Sequence, residues 1–334
     1  MRIVLLGPQR RPTVDAAVRS LGLSGPSGPL DPGGPIATVT AGWQEREPDD
    51  RLLSTFLGGV DVNLELYRRW LDVQDRDPEY AAGQRRLAGV IGELEDTYLL
   101  RLDYALQAVY ALQHRAGSDR GSANAEGANA EGADAEGADT GALDDAIATV
   151  RELDKAHLHQ VNSLRLEFFE ELRPHDRPVI AEHRAFVAAA LSEATALLVA
   201  GGHVGVLAEV LHLFNVAADL KPPLSRVIAW SAGAMALADR IVLFHDRAPQ
   251  GAGHPEVYGT GLSLLREVVL LPHAKARLLL DDTARMAVFA RRFAPAQCIL
   301  LENGTRLEAG GDGRWPPGTR VLAEDGRVTT LEAA

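Results

Sequence analysis

Ser231 is the residue whose setting most invites chemistry. It lies in Ala229-Trp230-Ser231-Ala232-Gly233-Ala234, between the apolar run 226–230 and a stretch from Ala232 that reads as a helix. A nucleophilic serine on a strand-to-helix elbow needs small neighbours, because the turn is sharp and strained. The elbow exposes the hydroxyl and aims the start of the next helix at it, and the Ala232 N–H becomes one donor to a developing oxyanion. Here Ala229 stands where a Gly-x-Ser-x-Gly elbow has its first glycine. The competing reading is a serine that fills a small-residue turn and does nothing else.

Three further polar features follow apolar runs. Gly42-Trp43-Gln44-Glu45-Arg46-Glu47 comes after 36–40, Gly201-Gly202-His203 after 195–200, and His273 after 268–272. In open parallel sheets ligands bind at the carboxyl ends of the strands, so four independent placements converge on one rim. His273 is read either as a general base or as a strand cap. Trp43, Glu45 and Glu47 either line the mouth of the site or form a packed Trp under a loop with two exposed acids.

The elements that must hold these residues are legible in the pattern. Residues 2–7 (RIVLLG) form a short β-branched run suited to a buried strand, 13–21 read as a helix, and 24–34 are a Gly/Pro loop. From Leu52 to Leu112, and again from Leu143 to Phe168, apolar residues recur at three and four, as in long amphipathic helices. Between them runs the repeat GSANAEGANAEGADAEGADTGA, which has no large apolar residue to offset the entropy of ordering. Alternation of strands and helices resumes near Pro178, with strands expected at 195–202, 226–230, 241–244, 268–271 and 297–301, and in the tail at 305–308 and 319–331. The expectation is a doubly wound, mostly parallel α/β sheet built from 1–50 and 178–334. A helical hairpin, 51–177, is inserted into it, with a disordered tip at 116–142.

Composition narrows the function. The 334 residues are 46% hydrophobic and carry a formal net charge of −12, with only three lysines, which argues against a nucleic-acid partner. The N-terminal apolar run is too short for a signal sequence or a membrane span, so a cytoplasmic protein without a membrane partner is expected. Cys298 is the single cysteine, which precludes an internal disulfide or a Cys-based zinc site. It sits in an apolar run and reads as buried and inert. His157 and His159 lie two apart and face different directions on a helix, and Gly259-Thr260-Gly261 lacks the third glycine of a dinucleotide fingerprint. No metal and no cofactor is expected.

AWSAGAMAL at 229–237, followed by GLSLLREVVLLPHAKARL at 261–278, resembles the family of cyanophycinase and aspartyl dipeptidase (peptidase E). These are serine peptidases on a class I glutamine amidotransferase-like fold. The family's glycine-rich run is matched by Gly261-Leu262-Ser263-Leu264, its Gly-Gly turn by Gly201-Gly202-His203, and its carboxylate strand by Leu300-Leu301-Glu302-Asn303-Gly304-Thr305. The resemblance covers 179–334 and extends to the first two strands, but not to the helical insertion. The resemblance implies Ser231 as nucleophile, His273 as general base, Glu302 as the acid that orients it, and an oxyanion hole from Ala232 and the Gly201-Gly202 turn. Asp246, also at a strand end, is the rival acid. His203 departs from the family's amide or acid, and Lys275 and Arg277 are the cations left to hold a substrate carboxylate. The implied substrate is a small peptide or amide, an acidic peptide among them. The alternative is a catalytically silent binding or assembly module that uses the hairpin as a partner surface, and the hairpin's apolar stripes equally admit a second copy of the chain.

Overall fold

The computed structural model describes residues 1–9, 14, 16–17, 34–59, 61–123, 130–247, 253–309 and 314–332; the side chains of 116–140 fall outside the description. The expected helix at 13–21 and loop at 24–34 lie mostly outside the described residues.

Strands β1 (Arg2–Leu6), β2 (Ile36–Val39) and β3 (Asp61–Asn63) precede the hairpin; β4 (Ala196–Val199) and β5 (Arg226–Trp230) follow it. Then come β6 (Ile241–Leu243), β7 (Glu256–Gly259), β8 (Val268–Pro272), β9 (Gln297–Leu301), β10 (Arg306–Ala309), β11 (Arg320–Leu322) and β12 (Val328–Thr330). The described helices are α1 (Arg51–Phe56), α2 (Leu66–Arg76), α3 (Pro78–Ala123), α4 (Ala130–Leu172), α5 (Pro178–Glu193), α6 (Val204–Leu213), α7 (Ala232–Met235), α8 (Ala274–Arg277) and α9 (Thr283–Phe293).

The chain forms a mixed α/β fold. The strands do not form the one sheet that the alternation suggests. Six make a sheet in the order β10-β1-β5-β4-β2-β3, parallel except for β10; four make a second sheet, β12-β11-β9-β8; and β6 pairs with β7 in an antiparallel ribbon. The chain passes from the second sheet to the first at the 302–305 turn, where Gly7 N–H donates to Thr305 O at 2.8 Å. Side chains alternate across the large sheet. Ile3, Leu5, Val199 and Val227 join one core, while Val4, Leu6, Leu198 and Trp230 join another on the opposite face. Burial on both faces explains why these strands read as continuous apolar runs.

The hairpin is tied down at its base. Asp77 caps α3, accepting from Tyr80 N–H at 3.0 Å, while Arg177 binds the Asp77 carboxylate at 2.7 Å and the Leu172 carbonyl ending α4 at 2.6 Å. Burial pushes the Asp77 carboxyl up, but the Arg177 and Tyr80 hydrogen bonds outweigh it and hold it below the usual range. Higher up, Tyr98, Leu102 and Leu106 of α3 pack on Ile147, Val150 and Leu153 of α4 and on Val288 of α9. These stripes are thus covered within the chain. A buried knot locks the arrangement. Arg292 grips Asp154 with two nitrogens at 2.6 and 2.7 Å, donates to Pro255 O, and meets Tyr98 OH at 3.0 Å; Tyr98 donates to Asp154 at 2.8 Å. His157 stacks on Tyr98 with centroids 4.0 Å apart, so it serves the core. Both helices run into the Ala-Glu-Gly repeat, α3 to Ala123 and α4 from Ala130, while 124–129 lie outside the described residues. Among the described residues no helix is long and apolar enough to cross a membrane.

Candidate active site

Ser231 takes φ 53° and ψ −124° between β5 and α7. That conformation is nearly exclusive to glycine, and a side chain there costs roughly 1–3 kcal/mol that its surroundings must supply. The surroundings are visible. β5 is held in register between β1 and β4, and a Cβ on Gly233 would stand 2.4 and 2.5 Å from the Val199 and Ala200 carbonyl oxygens. The small residues after Ser231 therefore let the elbow press onto the end of β4.

The helix after Ser231 is shorter than its composition suggests. α7 spans four residues, because the chain beyond it pairs with 262–265: Leu262 and Leu264 N–H donate to the Ala236 and Leu237 carbonyls at 2.8 and 2.9 Å. Four residues sum too few peptide dipoles for a strong helix field. Stabilisation of an oxyanion would rest on individual N–H groups such as that of Ala232, which is buried beside the half-buried Ser231.

Pairing brings the rim together. Leu6 lies opposite Trp230, so Gly7 neighbours Ser231, and Val199 lies opposite Ala229, so the Gly201-Gly202 turn emerges beside the elbow. A Cβ on Gly201 would be 2.9 Å from Ser231 Cβ and 3.4 Å from its Oγ. Gly202 has φ 125°, and a Cβ there would lie 2.2 Å from the Gly42 carbonyl oxygen, which also accepts from His203 N–H at 2.7 Å. His203 is exposed and caps α6, its Nδ1 accepting from Val206 N–H at 3.2 Å. Capping accounts for a polar side chain after the glycines.

His273 follows β8, half-buried, with φ 58° and ψ 31°; Pro272 lies opposite Leu301, which places His273 beside Glu302. Gly7 bridges this pair to the elbow, since a Cβ on it would lie 1.7 Å from the Glu302 carbonyl oxygen. Glu302 Oε1 accepts from Lys275 N–H at 2.7 Å, two residues beyond His273. No Ser231–His273 hydrogen bond occurs among the described residues. Asp246 is buried, with Arg285 at 2.6 Å on one oxygen and Leu279 N–H at 3.1 Å on the other, and its own N–H donates to Arg277 O at 2.7 Å. Asp246 thereby anchors the loop after α8. Arg277 is half-buried, and desolvation pushes its guanidinium down. Lys275 is exposed.

The segment after β2 departs from expectation. Glu45 is exposed and accepts from Tyr67 OH at 2.8 Å, but Glu47 is buried and accepts from Tyr67 and Arg68 N–H at the start of α2. Burial pushes the Glu47 carboxyl up. A glutamate that accepts from the first N–H groups of a helix is drawn inside with them, and the 51–112 pattern gives no sign that a separate helix begins at Leu66. Gln44 was not singled out by its sequence, yet it has φ 56° and ψ −125°, a second elbow of the same shape as Ser231. Both follow a Trp, Trp230 at the end of β5 and Trp43 in the short helical segment Ala41–Arg46 beyond β2, and that is the one shared signal. A cavity of about 450 Å³ opens beside them, lined by Trp43, Arg46, Phe56, Gly202 and Trp230 among others. Among the described residues no cluster of three or more His, Cys, Asp or Glu is arranged to hold a metal.

No protein-family model and no curated protein matches the chain. Among solved structures it is similar to a peptidase from an acI-B1 Actinobacterium, at 18% identity and a TM-score of 0.30. The likeness covers 46% of this chain and 63% of that one, less than two thirds of the other protein's length. It is a weak structural likeness to a peptidase, and the functional reading rests on the geometry of the rim.

Proposed function

We propose that the protein is a serine hydrolase that cleaves an amide or peptide bond of a small peptide. Ser231 is the nucleophile, His273 the general base and Glu302 the acid that sets the base, on a glutamine amidotransferase-like sheet. The observation that carries this reading is the backbone of Ser231. A strained, non-glycine residue at a strand-to-helix junction is costly, and its use is to present a hydroxyl above the strand ends. The turn of Gly201 and Gly202 packs against that hydroxyl, which supports a role beside Ala232 in binding an oxyanion.

Attack by Oγ on the carbonyl requires the Ser231 proton to pass to His273, which later protonates the leaving amine; water then repeats the sequence to release the acid. Glu302 bears on this through the main chain. By fixing Lys275 N–H it holds the turn that carries His273. Arg277 is the cation best placed in sequence to hold a substrate carboxylate, and its partial burial favours an anionic partner. The test is the rate of labelling by a fluorophosphonate. His273→Ala slows it by roughly a hundredfold or more, as expected for loss of a general base, and Glu302→Gln slows it more than Asp246→Asn does. Equal rates in wild type and His273→Ala would overturn the assignment.

A further inference from the structure

A second cavity, of about 640 Å³, lies between the hairpin and α6, away from the Ser231 elbow except where His203 forms part of its wall. Its size is that of small-molecule sites. It exists because α3 presents small residues there: Ala88 and Gly92 line it, and a Cβ on Gly92 would meet nothing within 4 Å. Trp70 and Tyr258 give it aromatic walls, and the Trp70 indole N–H is buried with no hydrogen-bond partner among the described residues.

Its charges are the informative part. Glu95 on α3 and Arg165 on α4 both line the cavity, and among the described residues neither forms an ion pair, with the other or elsewhere. Burial pushes the Glu95 carboxyl up, and nearby Glu256 on β7 is pushed up to about 7 by burial and by Glu95. Glu209 is already engaged by the Gln84 amide, and Arg85 stands exposed. Opposite charges held apart across a partly apolar space are each short of a partner, and a ligand carrying both signs would supply both.

We infer that this cavity binds a small zwitterion with an apolar body, an α-amino acid bearing an aromatic or large aliphatic side chain, with its ammonium at Glu95 and its carboxylate at Arg165. Nothing in this depends on the reactivity of Ser231, so binding is measured on the Ser231→Ala chain as well as on wild type.

The experiment is calorimetric titration of the full chain with L-phenylalanine, phenethylamine and 3-phenylpropionate. Phenylalanine is expected to bind with a dissociation constant on the order of 1 mM, reasonable for twelve heavy atoms in a preformed pocket. Each single-charge analogue is expected to bind about tenfold more weakly, as are Glu95→Gln and Arg165→Met with phenylalanine. Gly92→Leu keeps every charge and replaces a helical glycine, so it folds at least as well as wild type while filling the cavity and abolishing binding. Absence of saturable binding up to about 20 mM, equal binding of the three compounds, or undiminished binding in Gly92→Leu would each overturn the inference.

Discussion

Replacing Ser231 by glycine and by alanine separates backbone strain from side-chain chemistry, since both variants lose the hydroxyl. At an ordinary position glycine is the less stable of the two by roughly 0.5–1 kcal/mol, because it gives up more chain entropy on folding. At φ 53° and ψ −124° alanine keeps a Cβ in a region that costs roughly 1–3 kcal/mol, and glycine does not. The difference predicts that Ser231→Gly is more stable than Ser231→Ala by about 0.5–2 kcal/mol. Urea unfolding of the two proteins checks this, read as a higher midpoint at equal slope. Gln44, with φ 56° and ψ −125°, is the internal control, and its glycine variant should exceed its alanine variant in the same way. If Ser231→Gly proves less stable than Ser231→Ala, the backbone there is unstrained and the elbow argument falls.

Asp154→Ala leaves Arg292, whose side chain is 2% exposed, without its carboxylate, and should cost about 3–5 kcal/mol, a fall in melting temperature of about 10 °C. The Asp154→Leu/Arg292→Met pair should recover much of that loss, and a single-variant cost below about 1 kcal/mol would refute the knot. Glu256 carries a carboxyl raised to about 7 by burial and by Glu95, so between about pH 4.5 and 7 the folded protein holds a proton that the unfolded chain has released, and stability falls as pH rises through that window. Glu256→Gln should therefore raise the melting temperature at pH 8 and leave it unchanged near pH 4, an effect of about 1–2 kcal/mol after solvent screening. The Cys298 thiol is buried and pushed up to about 12, and should resist iodoacetamide until the protein unfolds.

What the sequence discloses follows from how local each feature is. β1 and β5 are readable because burial on both faces demands unbroken apolar runs, and α3 and α4 because their stripes are long. The division into two sheets is not readable. It depends on which strands pair, and the chain changes sheet at the turn of Glu302 to Thr305, whose residues look like any tight turn. β3 (Asp61–Asn63) and β7 (Glu256–Gly259) escape notice because, unlike the equally short but wholly apolar β4 and β6, they mix polar and apolar residues over too few positions to show a period. In the site, Ser231 and His273 are visible as polar residues ending apolar runs, whereas the strain at Gln44, the burial of Glu47 and the capping role of His203 arise from contacts distant in the chain. Asp246 looks much like Glu302 in sequence; its pairing with Arg285, 39 residues later, is what distinguishes it.

The measurement that bears most directly on the central claim is peptide-resolved mass spectrometry of the chain after reaction with a fluorophosphonate. One phosphonyl group on the peptide containing Ser231, absent in Ser231→Ala, is the result expected of a nucleophile on the elbow. Modification of another serine, or an unmodified chain under conditions that label a known serine hydrolase to completion, would contradict it.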